Sequence, residues 1–405
     1  MRDVVITGYL RSAQSRSRRD DPGRDWFHKV RADELLGKLL PELVKRAGID
    51  ASEVDDCITG SARGVAEQWT YGGRNPVFLA NFPETVAAKF VDQQCGSAMA
   101  AIHIGFLEIA AGYADIVIAA GMEHMTRIPM TGGGCITRNP ALFTEEKYAH
   151  WDMLNAMNMG LTAEKLFYLR ENISKEDMDR WGVRSHNLAE KARNEGFFDG
   201  EILPIDAEQA DGSTMVVDKD QSIRDGATYE ATASLKPAFA PNSPDWKYYQ
   251  GVITAGNSSP LNAGATSMLL MSRETAEKKG IRPMATIRSV GFAGVDPTIM
   301  GVGPVPASKK ALEFAGLEPK DIDYWEINEA FCVVALNCIN ELGIDPERVN
   351  VMGGATAIGH PLGATGVRLV GTLARILEVK DGRYGVATAC CGGGQGVATV
   401  IEREA

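Results

Sequence analysis

The chain has 405 residues, of which 44% are hydrophobic and 23% are charged, a composition typical of a globular protein with a large buried core. Its 42 basic and 53 acidic residues give a net charge of −11, which disfavours nucleic acid as a partner. No stretch is long and apolar enough to cross a membrane, and the chain starts without a signal or transit pattern, so we expect a cytoplasmic protein. Seven irregularly spaced cysteines predict free thiols, and the absence of CxxC and HExxH motifs predicts no metal site.

The first predicted elements are a strand at Val4–Gly8 and an amphipathic helix at Leu35–Ala47. Between them lies a short basic patch of Arg16, Arg18 and Arg19, which two aspartates follow at once. We interpret this patch as a solvated loop, with a ligand contact as the alternative. Local charge of this kind remains compatible with a small anionic ligand on an acidic protein.

Further strands are predicted at Asp56–Gly60 and Ile116–Ala120, on either side of an almost entirely apolar helix at Ser97–Ala111. A helix that is apolar on every side is usually buried inside a large domain. The alternation of short apolar strands with helices indicates an α/β protein.

A sequence repeat divides the chain. Residues Ala47–Asp55 resemble Ala315–Asp323, and the same offset relates Gly96, at the start of the apolar helix, to Ala364. We predict two copies of one α/β unit, with a chance match over nine residues as the alternative. The segment between the copies is rich in Met, Asp, Glu and Asn, which favours an inserted region that covers the substrate. The expected units are residues 1–125, 126–250 and 251–405.

Two segments combine a reactive residue with glycine and precede a predicted helix. In Asp92–Ala100, Cys95 comes just before the apolar helix, where free N–H groups and the helix dipole would lower its thiol pKa. A buried core cysteine is the alternative for this segment. In Gly353–Gly366, the glycines suit tight turns, and His360 is one of only six histidines in the chain. We predict that His360 is a functional residue.

Two further segments carry polar or thiol groups at strand ends. Thr388–Gly396 contains Cys390 and Cys391 ahead of glycines, but a strand rather than a helix follows, which argues against a dinucleotide-binding loop. We interpret it as a thiol beside free backbone N–H groups that can bind an oxyanion. Glu326–Phe331 contains Asn328 and, taken alone, is equally compatible with a turn cap.

Together the four segments resemble the thiolase family, in the family's order and over nearly the whole chain. The matching motifs are QCGSAMA, NEAF, GGATAIGHPLGATG and CxGxG, and Gly256–Ser259 and Met159–Glu164 match further family segments. The resemblance implies a thiolase fold, in which two repeated α/β halves enclose a buried helix layer between two mixed sheets, with an inserted loop domain.

The resemblance also implies a role for each matching residue. Cys95 resembles the nucleophile that carries the acyl group, and His360 resembles the base that activates it and faces the thioester oxygen. Asn328 resembles the residue that holds a water completing this first oxyanion hole. Cys390 resembles the acid/base at the α-carbon of acetyl-CoA, and the N–H groups of Cys95 and Gly392 resemble the second oxyanion hole.

For coenzyme A, the resemblance implies that Arg224 stacks on the adenine, with a surface arginine as the alternative. Ser259 and Phe239 would line the pantetheine tunnel, and Met159 would be a further contact of coenzyme A. Coenzyme A and acyl-CoA are expected as substrates, with no permanently bound cofactor. Members of the family form homodimers or homotetramers, and an accessory subunit is also compatible with the resemblance.

The implied activity is that of an acetyl-CoA C-acyltransferase, which cleaves a 3-oxoacyl-CoA with coenzyme A during β-oxidation of fatty or aromatic acids. The reverse Claisen condensation to acetoacetyl-CoA and a catalytically silent lipid carrier are the alternatives.

Several positions depart from the family pattern. Asn158 replaces the histidine of acetoacetyl-CoA thiolases, Pro260 and Ala263 replace a Gly and an Asp, and Ala240–Lys247 is an extra segment near the tunnel. These departures favour a branched or aromatic acyl group.

Overall fold

The computed structural model describes residues 1–130 and 134–404. The strands within these residues are β1 (Val4–Ser12), β2 (Ser15–Arg16), β3 (Asp56–Gly60), β4 (Ala87–Val91), β5 (Ile116–His124), β6 (Ile202–Leu203), β7 (Ile205–Glu208), β8 (Thr214–Val217), β9 (Asn262–Ser272), β10 (Ala285–Gly294), β11 (Tyr324–Ile327), β12 (Tyr384–Cys391) and β13 (Gln395–Arg403).

The α-helices of the same residues are α1 (Ala32–Ala47), α2 (Asn75–Leu79), α3 (Ser97–Ala110), α4 (Ala141–Thr144), α5 (Met153–Ala156), α6 (Met159–Tyr168), α7 (Lys175–Asn194), α8 (Tyr229–Ala233), α9 (Arg273–Lys279), α10 (Pro304–Ala315), α11 (Cys332–Leu342), α12 (Ala355–Ile358) and α13 (Thr365–Val379). None of them is long and apolar enough to cross a membrane.

The strands form two mixed half-sheets that meet edge to edge. One half has the order β1-β9-β5-β3-β4, and the other has the order β11-β12-β13-β10. They join where β1 pairs with β10 at only two positions, Val5 with Thr286 and Ile6 with Ala285. Strand β9 follows the inserted segment and belongs to the predicted third unit, yet it pairs antiparallel with β1 and β5. The first half is therefore completed by a strand from beyond residue 251.

The predicted repeat is present in the fold. The succession α1, β3, α3, β5 recurs as α10, β11, α13, β12, and the two copies are capped alike. Gly48 ends α1 and Gly316 ends α10, with φ of 70° and 67°, a left-handed conformation that glycine adopts without steric cost. After each glycine, reciprocal acidic caps close a short 3₁₀ turn, from Asp50 to Glu53 and from Glu318 to Asp321.

The helices α3 and α13 form a layer between the inner faces of the two half-sheets. Ile102 of α3 and Val370 of α13 belong to one core with Val117 of β5 and Val397 of β13. Helix α1 covers the outer face of the first half-sheet, and α10 and α11 cover that of the second. The expected α/β class and the buried helix layer are therefore confirmed. Successive side chains of a strand point to opposite faces of the sheet, so each half-sheet packs against the inner helices with one face and against the outer helices with the other.

The contact between α3 and α13 is backbone to backbone. A Cβ added at Gly366, the second residue of α13, would overlap the backbone of Met99 in α3. We expect Gly366→Ala to lower the free energy of unfolding by about 1–3 kcal/mol, because a packed helix pair accommodates extra volume only by moving apart. Urea denaturation measures the change. In the control Gly294→Ala the new methyl group enters open space. Equal midpoints for the two variants would contradict this prediction.

Candidate active site

Cys95 lies in the 3₁₀ turn Gln94–Gly96, which leads directly into α3. Gln94 has a φ of 51°, and its N–H donates to Asp92 Oδ1 at 2.7 Å. Ser97 closes the turn, since its Oγ accepts from Gln93 N at 2.9 Å and donates to Gln94 O at 2.7 Å. These local hydrogen bonds hold the thiol at the start of the buried helix.

The environment of Cys95 raises its thiol pKa to about 11. Burial is the largest cause, and the carboxylate of Glu123 adds to it, whereas Arg63 and the N–H groups of Gly392 and of Cys95 itself lower the pKa. The prediction of a lowered thiol pKa is therefore wrong for the free site, because desolvation outweighs the helix N–H groups. Cys95 needs a neighbouring base to become a nucleophile.

His360, the base that the resemblance implies, lies in the loop that leads into α13. It follows Gly359, whose φ of 123° and close contact with Asn262 leave no room for a side chain. The His360 N–H donates to Asn262 Oδ1 at 2.9 Å, and Nδ1 lies 2.6 Å from Thr365 Oγ1. Nε2 lies 3.4 Å from Asn328 Nδ2, which can only donate, so this nitrogen is the acceptor and Nδ1–H donates to Thr365. Leu362, two residues on, packs in one cluster with Cys95.

The imidazole of His360 is neutral. Burial and the nearby charge of Arg368 lower its pKa to about 3. A neutral ring with an unprotonated Nε2 can accept the proton of a thiol at any ordinary pH. This tautomer is the one that the predicted role of His360 as a base requires.

Asn328 follows β11 and is fully buried. Its N–H donates to Thr388 O at 2.9 Å, which ties it to β12, and its Nδ2 faces His360. Asn328 Oδ1 has no hydrogen-bond partner within the described chain. Among the described residues the amide side chain therefore does not form the turn cap that the isolated segment allowed.

Cys390 and Cys391 lie on opposite faces of β12. Cys390 faces the core that contains Cys338, and Cys391 faces α3, where a Cβ added at Gly96 would come within 2.6 Å of its sulfur. Burial raises the pKa of both thiols well above the usual range, and the proximity of Cys95 raises it further. Three thiols thus converge at the start of α3, next to the N–H of Gly392.

The residues predicted to line the pantetheine tunnel surround the Phe331 ring. Phe239 lies 6.0 Å from it, edge to face, and lies directly over Gly160, next to Met159 at the start of α6. Ser259 donates its N–H to Ala330 O at 3.1 Å, one residue before Phe331. Arg224 is further out, with Nη2 at 3.3 Å from Ala255 O, and does not touch the other three.

Sequence reasoning missed three positioning residues. Glu329 accepts hydrogen bonds from Trp181 Nε1 at 2.9 Å and from Thr356 N at 3.0 Å, so it anchors the start of α12, which leads to His360. Thr365 and Asn262 orient the ring and the backbone of His360. Thr365 and Glu329 belong to the motifs, and an oxygen-bearing side chain five residues after a histidine was a detectable signal. Asn262 gave none, because its partner is 98 residues away.

A search of the described residues finds no cluster of three or more side chains that could hold a metal ion. The groups of the candidate site are three thiols, an imidazole, an amide and backbone donors. Such a set can transfer an acyl group and move a proton without further groups.

The chain matches two family models, the thiolase N-terminal domain over residues 15–274 and the thiolase C-terminal domain over residues 281–403. Two curated relatives are named 3-ketoacyl-CoA thiolase. The one from Hahella chejuensis is 44% identical and the one from Marinobacter nauticus 43%, each over 99% of this chain and 98% of its own length. The structure resembles that of the Bacillus anthracis acetyl-CoA acetyltransferase, with a TM-score of 0.86 and 36% identity over 100% of this chain and 99% of the other.

The free thiols differ in accessibility. Cys95 is 8% exposed, whereas Cys57, Cys332 and Cys338 have no exposed surface. Sequence alone predicts that Cys95 reacts with iodoacetamide before Cys57, Cys135, Cys332 and Cys338, but Cys135 is exposed, so it will compete. In a Cys135→Ser background we expect Cys95 to be alkylated before those three buried thiols, since His360 can remove its proton. Peptide mapping over time measures the order. Cys95 appearing among the slowest thiols would exclude activation by His360.

Proposed function

This chain belongs to the thiolase family, and we propose that it cleaves 3-oxoacyl-CoA with coenzyme A into acetyl-CoA, or another acyl-CoA, and a shortened acyl-CoA. One observation carries the proposal: Cys95 and Cys390 lie together beside the N–H of Gly392, and Leu362 of the His360 loop packs on Cys95. Asn328 Nδ2 lies 3.4 Å from His360 Nε2.

The first half of the reaction is an acyl transfer to Cys95. His360 Nε2 takes the thiol proton, and the sulfur attacks the 3-oxo carbon of the substrate. The alkoxide that forms accepts hydrogen bonds from the N–H groups of Cys95 and Gly392, which are buried donors in a fixed position. When the carbon–carbon bond breaks, the acyl group stays on Cys95 as a thioester.

The bond electrons pass to acetyl-CoA as an enolate. His360, now carrying a proton on Nε2, and Asn328, through a bound water, stabilise its oxygen. The Cys390 thiol donates a proton to the α-carbon. Coenzyme A then gives its thiol proton to the Cys390 thiolate and attacks the thioester. Cys95 leaves and recovers its proton from His360, so both thiols are regenerated.

The same residues catalyse the reverse Claisen condensation, which is the second candidate function. The name of the Bacillus anthracis structure, acetyl-CoA acetyltransferase, favours this candidate. A silent lipid carrier of the same fold is disfavoured, because a carrier needs neither a buried unprotonated base nor a second thiol. Formation of an acyl adduct on Cys95 separates an enzyme from such a carrier.

We also propose a bulky acyl substrate. Asn158 Oδ1 accepts the Leu161 N–H at 3.3 Å as the cap of α6, so its side chain is already engaged. In the extra segment Ala240–Lys247, Asn242 Nδ2 donates to Leu154 O and to Asn155 Oδ1, both at 3.0 Å. The extra segment is thereby fastened to α5, beside the loop that carries Asn158, where it can shape the acyl pocket.

A homodimer or homotetramer is part of the proposal. Strand β4 pairs with β3 on one side only within the described chain, which leaves a sheet edge open. Trp69, Tyr71, Phe78 and Leu79, from the segments that precede β4, are about half exposed. Edge pairing between two copies would cover these groups. We also propose a cytoplasmic location, which the seven unpaired cysteines support. The proposed role there is in the breakdown of fatty or aromatic acids. An accessory subunit remains the alternative occupant of exposed apolar surface.

The two thiols have separable roles. Cys95→Ser should abolish both the acyl adduct and turnover, because a serine hydroxyl is a far weaker nucleophile. Cys390→Ser should still form the adduct on Cys95 but fail to exchange the α-protons of acetyl-CoA with D₂O, and thiolysis should fall by about 10²–10⁴-fold. Intact-protein mass spectrometry and proton NMR measure the two activities. Loss of the adduct in Cys390→Ser, with exchange retained, would reverse the assignment.

The acyl preference can be tested directly. Because Asn158 stands where acetoacetyl-CoA thiolases have a histidine, we expect at least one longer or bulkier 3-oxoacyl-CoA to have a higher kcat/KM than acetoacetyl-CoA. Steady-state thiolysis with a substrate panel measures this. Asn158→His, which keeps the backbone, should shift the preference towards acetoacetyl-CoA. A wild-type optimum at acetoacetyl-CoA would refute the prediction.

A further inference from the structure

Glu123 is a buried carboxylate that the proposed mechanism does not use. It lies near the end of β5, is 1% exposed and forms no ion pair among the described residues. Burying a carboxylate is costly unless hydrogen bonds replace the water that it loses. The hydrogen bonds of Glu123 therefore account for its place in the fold.

The carboxylate of Glu123 joins two loops of the candidate site. Oε2 accepts the N–H of Ala62, in the loop after β3, at 2.8 Å and the N–H of Gly363, in the loop before α13, at 3.1 Å. Oε1 accepts from Gln68 Nε2 at 2.6 Å and from Ser61 Oγ at 3.3 Å. All four partners are donors, which is the pattern that an ionised carboxylate requires.

The three chain segments that meet at Glu123 are in backbone contact. Gly121 lies two residues earlier, on the same face of β5. A Cβ added there would come within 2.5 Å of Gly363 O, and one added at Gly363 would come within 2.4 Å of Ser61 Cα. Because no side chain separates these backbones, the bonds from Glu123 fix the spacing between the end of β5 and the two loops.

Cys95 packs against the residues that Glu123 holds. Besides Cys95, its cluster contains Ala62, Leu362 and Met125. Ala62 donates its N–H to Glu123, and Leu362 directly precedes the other backbone donor. Met125 lies two residues after Glu123 in the chain. All three neighbours of the thiol in this cluster therefore lie within two residues of Glu123 or of a group that it binds.

The charge of Glu123 acts on the same thiol. Burial raises the pKa of Glu123, whereas its N–H donors and the nearby Arg63 oppose that rise. Burial is also the largest cause that raises the pKa of Cys95; Glu123 adds to it, and Arg63 again acts in the opposite direction. The carboxylate thus has two separable effects on the site, one of position and one of charge.

We propose that Glu123 is a positioning residue for the acyl transfer to Cys95, in which one buried carboxylate sets the distance between the thiol and the loop that carries His360. The inference rests on the proposed function and extends it. The negative charge of Glu123 also keeps the free thiol protonated until the substrate binds.

The charge effect is tested by Glu123→Gln in the Cys135→Ser background. The variant keeps a carbonyl oxygen that can accept both backbone N–H groups, but it removes the charge. We expect iodoacetamide to alkylate Cys95 about threefold faster at pH 8 for each unit by which its pKa falls. The reason is that the thiolate fraction then rises about tenfold, whereas the reactivity of each thiolate falls about threefold.

The positioning effect is tested by Glu123→Asp, which keeps the charge but is one methylene shorter and cannot reach both loops. We expect kcat for thiolysis to fall about tenfold or more, because a misplaced reacting pair loses rate steeply, with KM for coenzyme A within twofold of the wild-type value. Cys95 should be alkylated no faster than in the wild type, because the charge remains.

Glu164→Gln is the matched control. Glu164 is also fully buried, and it accepts three backbone N–H groups at 2.9 Å each. Its helix α6 packs in the core of the second half-sheet, which does not include Cys95. This variant should lose stability as Glu123→Gln does, with no faster alkylation of Cys95. Urea denaturation compares the stabilities, and peptide mapping over time gives the alkylation rates.

Each Glu123 variant is decisive by itself, so the test stands if one of them fails to fold. A kcat within twofold of the wild type in Glu123→Asp would overturn the proposal. So would alkylation of Cys95 that is unchanged in Glu123→Gln, or equally faster in Glu123→Asp or Glu164→Gln, since this indicates a loosened site. Alkylation requires no turnover. Absence of wild-type turnover with every 3-oxoacyl-CoA would instead reject the proposed function.

Discussion

The close crossing of α3 and α13 is the constraint on which the site depends. Cys95 directly precedes α3, and His360 lies five residues before Thr365, the first residue of α13. Because Gly366 brings the two helix backbones into contact at Met99, the starts of both helices meet at one point. The proposed nucleophile and its proposed base come from the two copies of the repeat, so the proposed site needs both halves. The half-sheets on either side prevent the helices from sliding apart.

Burial decides how the two reactive groups share a proton. The same desolvation that raises the pKa of Cys95 to about 11 lowers that of His360 to about 3, so the resting pair is a thiol and a neutral imidazole. A preformed ion pair is not present in this arrangement. In the proposed mechanism the proton moves when the substrate binds, and the N–H groups of Cys95 and Gly392 then act in a medium where a developing negative charge is poorly screened. Burial of these N–H groups thus makes the Cys95 thiol less acidic. The same burial strengthens the hydrogen bonds that the N–H groups make to an oxyanion.

Asn262 connects the loop that carries His360 to distant parts of the chain. Its amide oxygen holds the backbone of His360, and its amide nitrogen holds the strand and the loop that carry Arg16 and Arg224. Asn262 begins β9, the strand that returns from the inserted segment to complete the first half-sheet. The inserted segment, which is predicted to cover the substrate, is therefore linked at its C-terminal end to the loop that carries His360.

Local signals in the sequence were sufficient for several elements of the first half, among them α1, β3, α3 and β5, and for naming the candidate catalytic residues. The glycines at 48 and 316 and the acidic turns that follow them predicted the repeat, because helix ends depend on a few neighbouring residues. Cys95, Cys390 and His360 were identifiable since each lies in a glycine-containing turn next to a helix or strand. Their individual roles came from the family resemblance.

Tertiary structure decided what depends on distant parts of the chain. The pKa of Cys95 depends on burial by several elements, which the sequence at the start of α3 does not reveal. The position of β9 is decided by its pairing with β1 and β5. The fold brings Arg16 near His186 and Arg224, which lie about 200 positions later in the chain. The local composition of the basic patch does not distinguish such a cluster from a solvated loop. Sequence specifies short-range geometry, whereas desolvation and charge proximity are properties of the packed chain.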